Sequence, residues 1–143
     1  MERGEFEAAI DLLKQAVFKP NAPLGAYGAL AVALERTGQA DQAEFYLRKG
    51  LRLAPGHVGL TMNLGRTLRL LGKREESIRL LEDALAQKPT NPEIAMELGE
   101  VYTDDGRWAE VVELVDRAVR QGWVIDPLLR MRATVLHKLG RLR

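Results

Sequence analysis

The two histidines, His57 and His137, are the side chains to consider first for metal or acid–base chemistry. A zinc site needs several His, Cys, Asp or Glu side chains at close spacing. Neither histidine has a second histidine or an acidic partner at such spacing, and the chain contains no cysteine. The sequence therefore predicts no metal site. We expect His57 at the start of a helix and His137 on an exposed face near a helix C-terminus, where a positive charge is favourable.

The acidic residues that might act in pairs are neighbours in the sequence, namely Glu75 with Glu76 and Asp104 with Asp105. Adjacent residues on a helix do not face each other, so neither pair is arranged for acid–base catalysis. Ser77 is the only serine, and no histidine lies within local reach to activate it. The sequence also has no glycine-rich phosphate loop. We therefore predict that the protein is not an enzyme and binds no cofactor.

The composition is that of a folded globular chain of one domain. Its 143 residues are 46% hydrophobic and 29% charged, with a formal net charge of +1. This near-neutral balance argues against a nucleic-acid partner, which requires clustered positive charge. No apolar stretch has the length of a signal peptide or a membrane span, so we predict no membrane insertion. The lack of a signal peptide and of cysteine favours the cytoplasm, although the sequence does not determine the compartment.

A period of 34 residues runs through the chain. Five of the 13 glycines lie at this spacing, namely Gly4, Gly38, Gly72, Gly106 and Gly140. Leucines recur at the same step at Leu30, Leu64 and Leu98, and small residues recur at Ala16, Gly50, Ala84 and Ala118. A two-helix unit cannot bury its apolar face alone, so such units must stack against one another.

Each period has the pattern of two helices. Apolar residues recur at helical spacing over residues 24–37, and Gly38 follows where a left-handed helix C-cap is needed. Asn91 and Asp126 each precede a proline, which is typical of a helix start. No sustained polar and apolar alternation predicts a strand. The expected fold class is therefore all-α.

With these features the sequence resembles the tetratricopeptide repeat family. Residues 58–91 carry the family's motif positions as Leu64, Gly65, Leu68, Ser77, Leu81, Ala84 and Pro89. The two flanking periods carry similar sets, with Trp123 in place of the usual proline. The resemblance implies a right-handed α-solenoid of about eight helices, built from stacked antiparallel helix pairs.

The resemblance also implies repeat boundaries. Residues 4–23 match the second helix of a partial unit, and three full repeats follow at 24–57, 58–91 and 92–125. Residues 126–143 match a single first helix, which is either a terminal cap or a truncated unit. The position of Met1 beside a mid-unit boundary favours a fragment of a longer protein. Arg132, in the column of Leu30, favours a true cap, and both alternatives stay open.

Tryptophans occupy two positions of the family pattern. Trp108 shares a column with Phe6, where the family often has an aromatic side chain wedged between its two helices. We therefore expect Trp108 to pack between helices. Trp123 stands in the turn between units, and we interpret it as a plug against the final helix rather than an anchor for a partner.

In the family, the first helices of successive units line a concave groove. The resemblance places in this groove a set of apolar, amide and charged residues, namely Met62, Asn63, Arg66, Arg69, Met96, Glu97, Glu100, Arg130 and His137. One interpretation is that these residues contact a peptide. A second is that Arg66 and Arg69 pair with Glu97 and Glu100 and compensate one another. A third is that the basic final helix holds an acidic segment.

The function that follows is a non-catalytic scaffold whose groove binds a peptide or helix of another protein. One alternative is a region that positions substrates within a larger enzyme. Another is a module that self-associates, because the first helix lacks its partner and would expose Ile10, Leu13 and Val17 to a second copy. The sequence does not identify the partner.

Overall fold

The structure is a computed structural model that describes residues 2–141, with side chains up to residue 140. These residues form eight helices and no strand, so the all-α prediction is confirmed. The helices are α1 (Arg3–Phe18), α2 (Leu24–Arg36), α3 (Ala40–Leu53), α4 (Val58–Leu70), α5 (Arg74–Gln87), α6 (Pro92–Asp104), α7 (Trp108–Gln121) and α8 (Asp126–Arg141).

The chain divides into two compact units, residues 1–73 and residues 74–143. In the first unit α2 packs against α1, α3 and α4, and α3 also packs against α4. In the second unit α6 packs against α5, α7 and α8, and α7 also packs against α8. The two units thus use the same packing scheme, with α1 to α4 corresponding in order to α5 to α8.

Side chains fix the starts of two helices. The Asn91 side-chain oxygen accepts a hydrogen bond from the Ile94 amide at 3.0 Å, and Pro92 follows at the first helical turn. At the start of α4, Nδ1 of His57 accepts a hydrogen bond from the Leu60 amide at 3.1 Å. Both satisfy amides that a helix start leaves without a partner. The prediction that His57 lies at a helix start is confirmed.

Glycines of the 34-residue period end three of the helices. Gly38, Gly72 and Gly106 have φ values of 76°, 77° and 70°, in the left-handed region that other residues rarely adopt. The left-handed cap predicted at Gly38 is therefore confirmed. Gly4 and Gly140, which share the period, lie within α1 and α8 instead.

The periodic leucines and small residues form the core. Leu30, Leu64 and Leu98 are no more than 2% exposed. A side-chain carbon added to Gly50 would lie 3.0 Å from Leu60 and 3.1 Å from the Tyr27 ring. The glycine thus lets α3 approach both α2 and α4 closely.

The exposed side of α1 differs from the prediction. Ile10 and Val17 are only 5% and 3% exposed, and Leu13 is half-buried, so the expected exposed edge at these residues is wrong. These residues face α2, whose Tyr27 hydroxyl donates to the Val17 carbonyl at 3.2 Å. The exposed apolar side chains of α1 are Leu12 and Phe18.

An ion pair and a cation–π contact connect α8 to α7. Nε of Arg132 lies 2.8 Å from Oδ1 of Asp116, so the charged residue in the leucine column pairs with the preceding helix. The Lys138 amine lies 5.0 Å from the centre of the Trp108 ring, a cation–π contact on the half-buried indole. The Trp123 indole is also half-buried and donates to Gln121 at 2.8 Å, and its role as a plug stays a prediction.

None of the helices in residues 2–141 combines the length and the hydrophobicity that crossing a bilayer demands.

Replacing Gly38 with alanine tests whether its positive φ is needed at the end of α2. Replacing Gly25, which lies within α2, is the matched control. We expect Gly38→Ala to lower the free energy of unfolding by about 1 kcal/mol, because alanine is strained at positive φ. Gly25 lies in α2 with open space around it, so Gly25→Ala should be neutral or stabilising by up to about 1 kcal/mol. Urea unfolding followed by circular dichroism measures both. Equal losses in the two variants would contradict the assignment.

Candidate functional site

The residues predicted to line the groove lie on three helices. In the first unit they are half-buried on α4, namely Met62, Asn63, Arg66 and Arg69. In the second unit they are half-buried on α6, namely Met96, Glu97 and Glu100, or exposed on α8, namely Arg130 and His137. These helices are the first helices of the predicted repeats.

In the first unit Glu35 organises the surface formed by α2 and α4. Its side chain is only 9% exposed, and one carboxylate oxygen lies 3.3 Å from Nε of Arg66. The other oxygen accepts a hydrogen bond from the hydroxyl of Thr67, a fully buried residue. Glu35 thus joins α2 to α4 through a charge-assisted contact and a hydroxyl contact.

Asn63 completes this arrangement. Its side-chain oxygen accepts a hydrogen bond from Nη2 of Arg66 at 3.2 Å. A side-chain carbon at Gly28 would lie 3.1 Å from the Asn63 amide nitrogen, so the glycine makes room for this amide. The result is a guanidinium held by two acceptors, with 30% of the Arg66 side chain exposed. Such a preoriented group can bind a carboxylate or a backbone carbonyl.

In the second unit a cavity of about 380 Å³ lies between α6 and α8. The apolar part of its wall consists of Met96, Pro127, Met131 and Val135, and the polar part consists of Glu100, Thr103, Arg130 and Thr134. Three of the predicted residues therefore meet here: Met96, Glu100 and Arg130. Glu97 and His137 do not line the cavity.

Met131 shapes the cavity through a contact with α6. A side-chain carbon at Gly99 would lie only 2.5 Å from the Met131 sulfur, so the thioether occupies the space that this glycine leaves. Flexible methionines such as Met96 and Met131 can adapt to different apolar side chains. The cavity thus offers an adaptable apolar wall together with one acid and one base.

Sequence reasoning missed two features of these surfaces. One is the contact of Glu35 with Arg66. The other is Val135, which is buried in α8 and reaches the cavity wall. Its apolar character four residues after Met131 and seven after Leu128 was the available signal. Within residues 2–141, no three His, Asp or Glu side chains come together as a metal site would require.

Family models give an independent assignment of the fold. Two models described as tetratricopeptide repeat match the chain, one over residues 24–67 and the other over residues 68–122. Together they span more than half of the sequence.

Curated proteins with similar sequences are much longer than this chain. A stretch of 92 residues is 29% identical to human protein O-mannosyl-transferase TMTC2, covering 62% of this chain and 11% of that protein. A stretch of 113 residues is 27% identical to mouse interferon-induced protein with tetratricopeptide repeats 3, covering 77% of this chain and 28% of that protein. The chain thus spans less than a third of the length of either relative.

Solved structures share the fold. A thermophilic TPR protein from Thermus thermophilus has a TM-score of 0.76 at 29% identity, with 93% of this chain and 74% of that chain covered. MamA from Desulfovibrio magneticus has a TM-score of 0.70 at 22% identity, with 97% and 84% covered. At the lower identity the likeness shows the fold alone.

The role of Glu35 can be tested by removing its carboxylate. We expect Glu35→Ala to lower the free energy of unfolding by about 1–3 kcal/mol, because the Arg66 guanidinium loses its charged acceptor and the Thr67 hydroxyl keeps only the Asn63 carbonyl. Asp11→Ala removes an exposed acid of the same unit and should change it by less than about 0.5 kcal/mol. Chemical unfolding of both variants measures the difference. A loss at Glu35 no larger than that at Asp11 would refute an organising role.

Proposed function

This chain belongs to the tetratricopeptide repeat family, and we propose that it is a non-catalytic scaffold that binds a peptide or helix of another protein. Membership of this family supports protein interaction in general. The finer proposal is that binding uses the first helices of the repeats, with full repeats at 24–57, 58–91 and 92–125. In this proposal a single helix flanks the three full repeats at each end.

The observation that carries the proposal is the cavity between α6 and α8. Its volume of about 380 Å³ lies in the range of small binding sites, and its wall combines methionines with a few polar groups. Glu100 and Arg130 stand among apolar neighbours, where they can fix the direction of a bound segment. Apolar contact with a small number of placed polar groups is how grooves recognise peptides and helices.

The first unit offers a contact surface of its own in this proposal. Arg66 is held by Glu35 and Asn63, so little side-chain freedom is lost when it binds a carboxylate or a carbonyl. Met62 and Arg69 on the same helix would extend this contact. Glu97 and His137 belong to the proposed surface of the second unit, although they lie outside the cavity wall.

A region that positions substrates within a larger enzyme is a second candidate. The similarity to 92 residues of a human O-mannosyl-transferase favours it, because that relative is far longer than this chain. Sequencing the complete reading frame decides this point. A catalytic domain in the same frame would support the second candidate.

Self-association through α1 is a third candidate. It is supported by Leu12 and Phe18, which are 67% and 86% exposed on that helix. We expect wild-type protein to show a mass that rises with concentration in light scattering, and Leu12→Lys to reduce the effect. A mass that stays monomeric at every concentration would remove this candidate.

The groove proposal is tested by charge reversal inside and outside the cavity. Peptides selected on the wild-type protein from a random display library should bind Arg130→Glu at least about tenfold more weakly, because the cavity then holds two acids. Arg79→Glu reverses an exposed charge on α5, outside the cavity wall, and should leave the affinity unchanged. Fluorescence anisotropy with labelled peptides measures both, and circular dichroism checks the fold. Equal affinity for the two variants would place the binding surface elsewhere.

A further inference from the structure

A second cavity of about 390 Å³ lies in the unit of residues 74–143, on the other side of α6. It opens between α5 and α7, which both pack on α6 and, within residues 74–141, do not pack against each other. Its apolar wall is formed by Leu85, Leu98 and Leu114, all buried. Its polar rim includes Glu82, Glu110 and Arg117.

In the first unit, side-chain contacts join α1 and α3 across the corresponding space. The Lys14 amine donates a hydrogen bond to the Gln42 side chain at 3.3 Å and so joins the two helices. The Lys49 amine lies 5.9 Å from the centre of the Phe18 ring and joins them a second time. Two side-chain contacts therefore join α1 and α3, and the Phe18 ring itself is 86% exposed.

Neither bridge is available between α5 and α7. Two periods, or 68 residues, after Lys14 and Gln42 stand Glu82 and Glu110, two acids that cannot attract each other. The residue that corresponds to Phe18 is Ala86, which fills little space. The residue that corresponds to Lys49 is Arg117, and Ala86 offers it no ring to lie against. The substitutions thus replace both contacts and place two acids at the rim.

Tyr102 positions one of the acids of this cavity. Its hydroxyl donates a hydrogen bond of 2.7 Å to the Glu82 carboxylate. Burial, followed by the nearby carboxylates of Glu82 and Glu110, raises the pKa of Tyr102 despite an opposing effect of Arg107. The phenol therefore stays protonated and acts as a donor, so it holds the Glu82 carboxylate in place.

Two of the three carboxylates that line the cavity have no ion-pair partner in the described part of the chain. Among the described residues, neither Glu82 nor Glu110 forms an ion pair with Lys or Arg. A third acid, Glu113, pairs with Arg120 at 3.1 Å on the exposed surface. Arg117 is the cation that lines the cavity itself.

We propose that this cavity is a second interaction site, which binds a Lys or Arg side chain of a partner protein. The aliphatic part of that side chain would lie on Leu85, Leu98 and Leu114, as long cationic side chains do on apolar surfaces. Its positive group would contact the carboxylates of Glu82 and Glu110. The partner would thus provide the positive charge that Lys14 provides in the first unit. The site is separate from the cavity between α6 and α8.

The test uses acetyl-Leu-Arg-amide as the probe and nitrogen–proton correlation spectra of the whole chain as the measurement. We expect saturable shifts at the backbone amides of Glu82, Tyr102 and Glu110, and no such shifts with acetyl-Leu-Gln-amide. The double variant Glu82→Gln with Glu110→Gln should bind the probe about tenfold more weakly. Asp83→Asn, an exposed acid next to Glu82 on α5, is the matched control and should bind like wild type.

A variant that adds a large side chain at the cavity wall gives an independent test. Ala86 lines the cavity, so Ala86→Phe should obstruct the site and weaken the probe at least about tenfold while circular dichroism stays unchanged. Arg130→Glu, which alters the cavity between α6 and α8, should not affect the probe. Failure of the groove proposal and failure of this one are therefore distinguishable.

Four outcomes would overturn the proposal. The first is equal binding of acetyl-Leu-Gln-amide, and the second is unchanged binding by the double glutamine variant. The third is an equal response to potassium chloride alone, which would indicate that the site binds any free cation. The fourth is a set of concentration-dependent shifts at the same amides without the probe, which would indicate a second copy of this chain as the occupant.

Discussion

The burial of leucines shared between helices is the constraint on which both units depend. A pair of antiparallel helices leaves one apolar face uncovered, and only a further helix can cover it. Leu30 on α2, Leu64 on α4 and Leu98 on α6 are almost fully buried for this reason. The outer faces are free of this requirement, so they can vary in charge and shape while the packing of the leucines stays the same.

Local chemistry explains why the helices could be predicted from the sequence. A helix start is fixed by a side chain and an amide three residues apart, as at Asn91 and Ile94. A helix end is fixed by a glycine at positive φ, as at Gly38. Such signals involve residues that are neighbours in the sequence. In a chain with a constant period, each signal occurs several times. The fold class and the number of helices could therefore be derived without any knowledge of distant contacts.

The candidate sites depend on contacts between residues that are far apart in the sequence, and such contacts could not be predicted from it. Glu35 and Arg66 are 31 residues apart, and their pairing depends on the angle at which α2 meets α4. The burial of Ile10 and Val17 likewise reflects how α1 lies on α2, and this made the predicted exposed edge wrong. The family pattern predicted groove positions for Met96, Glu100 and Arg130, and these three residues line one cavity. It could not show that α6 and α8 leave a cavity between them.

The left-handed glycines that recur every 34 residues have a consequence for how such a chain can change. A side-chain carbon at Gly38, Gly72 or Gly106 would meet no other atom within 4 Å, so these residues define the turns through backbone conformation alone. The conformation of each turn therefore does not depend on a side-chain contact at its glycine. Surface residues can be exchanged, and whole hairpins duplicated or deleted, without re-optimising the turns. A protein built in this way can acquire a new ligand by substitution on one face while its backbone is inherited unchanged.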